Sequence, residues 1–99
     1  MSEGFTFEIF SAEVGTRFQM AYGDAHIADL ELISANDLST GPRHIQFSLV
    51  FLGPEHCPLE QKIYQLKHDN LGTLDVFLVP VGKTDKGIEY EAIFNRNTN

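Results

Sequence analysis

Apolar and polar residues alternate along most of this chain with a period of two, the signature of half-buried strands. The pattern is clearest from Arg43 to Leu52, where Ile45, Phe47, Leu49 and Phe51 interleave with His44, Gln46, Ser48 and Val50. Earlier, Thr16–Tyr22 carries Phe18, Met20 and Tyr22 on one side. Ile27–Ile33 carries Ala28, Leu30 and Leu32 inward and Asp29 and Glu31 outward. Gly23 and Asp24 between these two runs form a tight turn, since Gly accepts positive φ and Asp bonds its own backbone. Lys62–His68 and Thr73–Val81 form a second pair, joined by a turn over Asp69–Gly72, and Ile88–Phe94 is a last strand with Glu89 and Glu91 outward.

The remaining segments interrupt this pattern. Ser34–Pro42, rich in turn residues and without periodicity, reads as a loop. Gly53–Pro58 breaks the chain with two prolines, which cannot donate to a ladder, and Val81–Gly87 reads as a polar loop. Thr6–Val14 fits either structure: Phe5, Phe7 and Ile9 suit a strand, whereas Phe7, Phe10 and Val14 share one face of a helix. The helix is preferred, with Thr6 as its cap and Gly15 as its stop. Residues 1–4 and 95–99 read as loose tails.

Six strands on short connections with one helical segment predict an all-β or mostly β domain over residues 1–99. The architecture is a six-stranded antiparallel small sandwich or partly closed barrel. The expected core is Phe18, Leu30, Leu32, Ile45, Phe47, Leu49, Phe51, Tyr64, Leu66, Val76, Leu78, Tyr90 and Phe94. Val76, Phe77, Leu78 and Val79 are continuously apolar, which predicts burial on both faces of that strand, under the N-terminal helix. Pro80 predicts that the far end of the strand lies on an edge or leaves the sheet. The strands at Thr16 and Ile88 are expected to be the sheet edges.

Charge narrows the partner classes. Seven basic residues against fourteen acidic ones give a formal charge of −7, the opposite of the basic face that nucleic acid or anionic lipid requires. The expected partner is a protein carrying basic charge, or a second copy, engaged through a sheet edge or an apolar strand face. No apolar run approaches the length that crosses a membrane as a helix. The N-terminus has no basic start or apolar stretch of signal-peptide type, and Cys57 has no partner cysteine. Together these lead to the expectation of a cytoplasmic protein.

Candidate chemistry is sparse. His56-Cys57 is the sharpest pair, because a thiolate needs a neighbouring base or cation. Adjacent residues in an extended loop point apart, however, so a helper would have to be His26, His44 or His68. Those histidines and His56 are spaced 18, 12 and 12 residues apart, unlike the close ligand pairs of zinc sites. Gly82-Lys83-Thr84 carries the last letters of a phosphate-binding loop, but position 77, where the first glycine belongs, is Phe77. Glu89 and Glu91 lie about 7 Å apart on one strand face, where solvated charges also deter strand pairing. No catalytic residue, metal ligand or cofactor is assigned on these grounds. The alternative is a small hydrolase or a metal- or ligand-binding protein using the loop histidines or Cys57.

The block from Pro58 to Arg96 resembles a family of small bacterial domains of unassigned function. The resemblance rests on Phe47-Ser48-Leu49, Gln61, Tyr64, Leu66 and His68, on Leu71-Gly72, on the run from Phe77 to Gly82, and on Tyr90 to Asn95. Gly15 to Phe18 is similar to the family's start, and Cys57 departs from its pattern. The resemblance implies a non-enzymatic structural or accessory role, associated with phage-tail-like systems.

Overall fold

A computed structural model describes residues 6–22, 25–55 and 60–97. One short helix, α1 (Phe7–Ser11), precedes six strands: β1 (Arg17–Tyr22), β2 (Ala25–Asp37), β3 (His44–Gly53), β4 (Lys62–His68), β5 (Gly72–Thr84) and β6 (Gly87–Asn97). All pair antiparallel, and the sheet closes on itself in the order β1-β2-β3-β6-β5-β4. The closing seam is short, three register pairs from Gln19↔Lys67 to Ala21↔Gln65. Closure means that the strands at Thr16 and Ile88 are not the sheet edges expected of them: β1 has β2 and β4 beside it, and β6 has β3 and β5.

Alternation decides what fills the ring. Phe18, Met20, Leu30, Leu32, Phe47, Leu49, Phe51, Tyr64, Leu66, Val76, Leu78 and Tyr90 are all buried, joined by the smaller Ala28, Leu74 and Ala92. Two expected core residues are only partly buried: Phe94, which packs against this cluster, and Ile45 near the start of β3. Gly53 is required where β3 passes the core, because a Cβ there would stand 2.8 Å from Leu30 Cδ2 and 3.1 Å from Tyr90 Cε2.

Three strands run further than their patterns suggest. β2 continues past Ile33 to Asp37 because its register with β3 shifts between Leu32 and Ser34, a bulge that breaks the alternation but not the ladder. β5 does not stop at Pro80, which takes Tyr90 as its register partner. A second bulge between Pro80 and Gly82 absorbs the missing N–H, and the strand goes on to Thr84. Val81–Gly87 is therefore mostly strand, with a turn only at Asp85-Lys86. There the Thr84 hydroxyl accepts from Lys86 N–H at 3.1 Å and donates to the Gly87 carbonyl at 3.3 Å. β6 stays paired beyond Phe94, through Asn95↔Gln46 to Asn97↔His44, so the expected loose tail is partly sheet.

α1 forms where its cap predicts. Thr6 is extended at the N-cap and its hydroxyl accepts from Ile9 N–H at 3.3 Å; the helix ends at Ser11 with Ala12 as its C-cap, earlier than the stop expected at Gly15, which at φ 96° closes the turn that follows. Its cargo is Phe10, fully buried, with ring centroids 5.3 Å from Phe94 and 5.9 Å from Phe47, which themselves stack at 5.0 Å and 7°. Phe7 adds an edge contact to Phe47 at 6.3 Å, and Val14 is left exposed. The helix thus covers the β3–β6 pair of phenylalanines and leaves the outer face of β5 open. Phe77 is 48% exposed and Val81 53%, so the expectation of burial on both sides of Val76–Val79 is corrected.

Candidate functional site

Two features stand apart from the packed interior: a buried histidine cluster and an uncovered apolar row. His68 ends β4 with its side chain 3% exposed and its ring 4.3 Å from that of Phe18. Its Nδ1 accepts backbone N–H groups from Asn70 at 3.0 Å and Leu71 at 3.3 Å. The Thr16 hydroxyl, 2.8 Å from Nε2, already donates to the Glu13 carbonyl at 2.7 Å. A hydroxyl whose proton is engaged acts toward Nε2 as an acceptor, so the network fixes the neutral tautomer with the proton on Nε2. The Glu13 carboxylate lies 3.5 Å from the same nitrogen and accepts from Asn70 Nδ2 at 3.0 Å.

That tautomer decides what the cluster can do. A general base for Thr16 needs its lone pair at Nε2, and here the lone pair is at Nδ1, committed to two amides of the β4–β5 turn. His68 therefore joins the turn after β4 to the segment linking α1 and β1. The polar depression beside it, about 380 Å³, mixes Arg17 and Lys67 with Asp29 and Asp69 and has no dominant sign of charge.

The other candidate residues are not brought together. His44 opens β3, with Nδ1 2.7 Å from the Thr40 hydroxyl of the β2–β3 connection. His56, Cys57 and the side chain of His26 lie outside the described residues. Glu89 and Glu91 flank buried Tyr90 on the outside of β6, registered against Leu52 and Val50 of β3. Gly82, Lys83 and Thr84 belong to β5, and Lys83 reaches Glu55 at 3.8 Å, both side chains well exposed, a pair that contributes little. Among the described residues, no three His, Cys, Asp or Glu side chains gather as metal ligands would.

The apolar row lies on the outer face of β4, β5 and β6. Ile63 is 64% exposed and is the register partner of Phe77; Ile93, 49% exposed, lies with both along one shallow depression of about 240 Å³. Each of the three is out of phase with its strand's core set, since Tyr64, Val76, Leu78 and Ala92 beside them are buried. That phase was readable in the alternation; that three strands align their exceptions was not, because only the cross-strand register shows it. Of the other exposed large apolar residues described, Val14 and Leu38 stand singly outside the strands, and Val81 lies in the β5 bulge between Pro80 and Gly82.

A small closed β domain with an uncovered apolar row and a structural histidine describes a class, not an activity. The chain belongs to the family Domain of unknown function (DUF6916), whose pattern matches residues 5–94. No curated protein matches it, and no solved structure does. No helix among the described residues is long and apolar enough to cross a membrane.

Proposed function

We propose that this protein is a non-enzymatic binding and assembly module that docks a protein partner through the outer row Ile63–Phe77–Ile93. The observation that carries this reading is the alignment of the three side chains across β4, β5 and β6, each about half exposed or more. Scattered apolar residues on a surface need no explanation, whereas an aligned set on a rigid sheet gives a partner contiguous area to bury. The buried histidine supports the same reading, because its lone pair is spent on the fold. With the resemblance of its motifs to domains found in phage-tail-like systems, the module is an accessory component of such a particle, made in the cytoplasm.

The test is affinity purification of the tagged protein from its source cells, alongside the double variant Ile63→Thr/Phe77→Thr, with light scattering for mass. The expected result is recovery of tail or other structural proteins by the wild type and their loss with the variant. Identical recoveries, or copurification of a small metabolite with a strictly monomeric protein, would contradict the proposal.

A further inference from the structure

The ladder between β5 and β6 begins at Thr84↔Gly87 and stops at Val79↔Glu91, although both strands continue. At the same register Phe77 would oppose Ile93 and Asp75 would oppose Asn95, but no such pairing forms. Below Val79, β5 has only β4 beside it, from Lys62↔Leu78 to His68↔Gly72. Beyond Glu91, β6 has only β3, from Ala92↔Leu49 to Asn97↔His44. The closed ring therefore splits along one seam into two facing strand flanks. A strand with a single neighbour keeps alternate backbone N–H and C=O groups available for another, which is the basis of recognition by strand addition.

The walls of this seam specify what fits. Phe77 and Ile93 stand on its two lips, and Val76 and Ala92 lie beneath them. Two carboxylates follow the apolar lips at outward spacing: Asp75, two residues along β5 from Phe77, and Glu91, two residues along β6 from Ile93. A second copy of this chain, with formal charge −7, would bring like charges to the seam, and like charges facing one another across paired strands are destabilising. The short seam between β1 and β4 offers no equivalent, since its depression is polar and mixes both signs of charge, Arg17 and Lys67 with Asp29 and Asp69.

We infer that the β5–β6 seam accepts an extended segment of a different protein, with apolar side chains at alternate positions and lysines or arginines between or beside them. The segment pairs its backbone with the free flank of β5 at Thr73–Leu78, lays its apolar side chains on Phe77 and Ile93, and sets its cations against Asp75 and Glu91. This rests on the reading of the outer row as a docking surface and adds the occupant's backbone form and its charge.

The experiment titrates the nitrogen-labelled full chain with two short amidated peptides, one alternating Val and Lys, the other alternating Val and Glu. Saturable amide shifts confined to residues 73–79 and 91–95 are expected with the Val–Lys peptide alone, weakened about tenfold or more by Asp75→Lys/Glu91→Lys. Equal binding of both peptides at those residues would overturn the charge assignment while leaving the row as a docking surface. Shifts spread over the whole surface, or absent with both peptides, would overturn the strand-addition inference. A dimer in equilibrium sedimentation that Phe77→Thr dissociates would overturn it too, by naming a second copy as the occupant.

Discussion

The molecule has two clusters of apolar side chains that its ring of strands does not enclose by itself, and they are treated differently. Phe47 and Phe94 are covered by the protein's own helix, through Phe10 and Phe7. Ile63, Phe77 and Ile93 are covered by nothing in the described chain and stay about half exposed or more. The difference teaches that apolar content alone does not say where a cover will sit. The run Val76–Val79 is continuously apolar, yet the helix goes to phenylalanines on β3 and β6, where three aromatic rings lie within 6 Å of one another, centre to centre.

The largest effects should come from the covered cluster. Phe47→Ala and Phe10→Ala should each cost about 3–5 kcal/mol, a large part of a small domain's stability, measured by urea denaturation. A loss under about 1 kcal/mol for either would show that the helix is an ornament and the comparison empty. Next comes the histidine that fastens the segment following the helix. His68→Phe keeps an aromatic ring beside Phe18 but leaves two turn amides without their acceptor and removes the N–H directed at the Thr16 hydroxyl, and should cost about 1–3 kcal/mol. In the wild type, ring-nitrogen chemical shifts at mildly alkaline pH should report the proton on Nε2; a proton on Nδ1 would undo the structural reading of this residue.

The uncovered row should respond least. Ile63→Thr and Phe77→Thr weaken one cross-strand apolar pair while placing a strand-compatible β-branched side chain at each position, so each should cost under about 1 kcal/mol. A loss as large as that of Phe47→Ala would mean that the row is core. Smallest of all is an acid effect away from both clusters. The Ser39 backbone N–H, and then its hydroxyl, hold the exposed Asp37 carboxyl below the ordinary aspartate range. A lowered folded-state value contributes stability above the ordinary aspartate value, and that contribution is lost as pH falls through the lowered one. Asp37→Asn should therefore lower stability slightly at neutral pH, leave it unchanged at strongly acid pH, and so flatten the acid side of the stability curve. A steeper acid limb in the variant would contradict that sign.

The alternation of residues made much of this legible. All six strands, the helix cap at Thr6 and eleven of the thirteen expected core residues follow from period and capping alone. What stayed illegible depends on facts no single strand contains. The bulges at Leu32/Ser34 and Pro80/Gly82 reset the phase mid-strand, so β2 and β5 looked shorter than they are. Closure depends on three pairs between β1 and β4, strands separated by two others in sequence, and closure is what removed the expected edges. His68 appeared as one of four unrelated histidines because its partners Glu13 and Thr16 lie more than fifty residues earlier. Ile63 and Ile93 went unremarked for the same reason: each is an ordinary outward residue until register sets it beside Phe77.

The most direct test places a photo-cross-linking amino acid at position 77, on the row, and in a second protein at Gln19, an exposed position on β1. Both are expressed in the source cells and irradiated. The account predicts a discrete adduct from position 77 only, whose cross-linked peptide is an extended segment with alternating apolar residues and nearby lysine or arginine. Equal labelling from both positions, or no adduct from position 77, would contradict it.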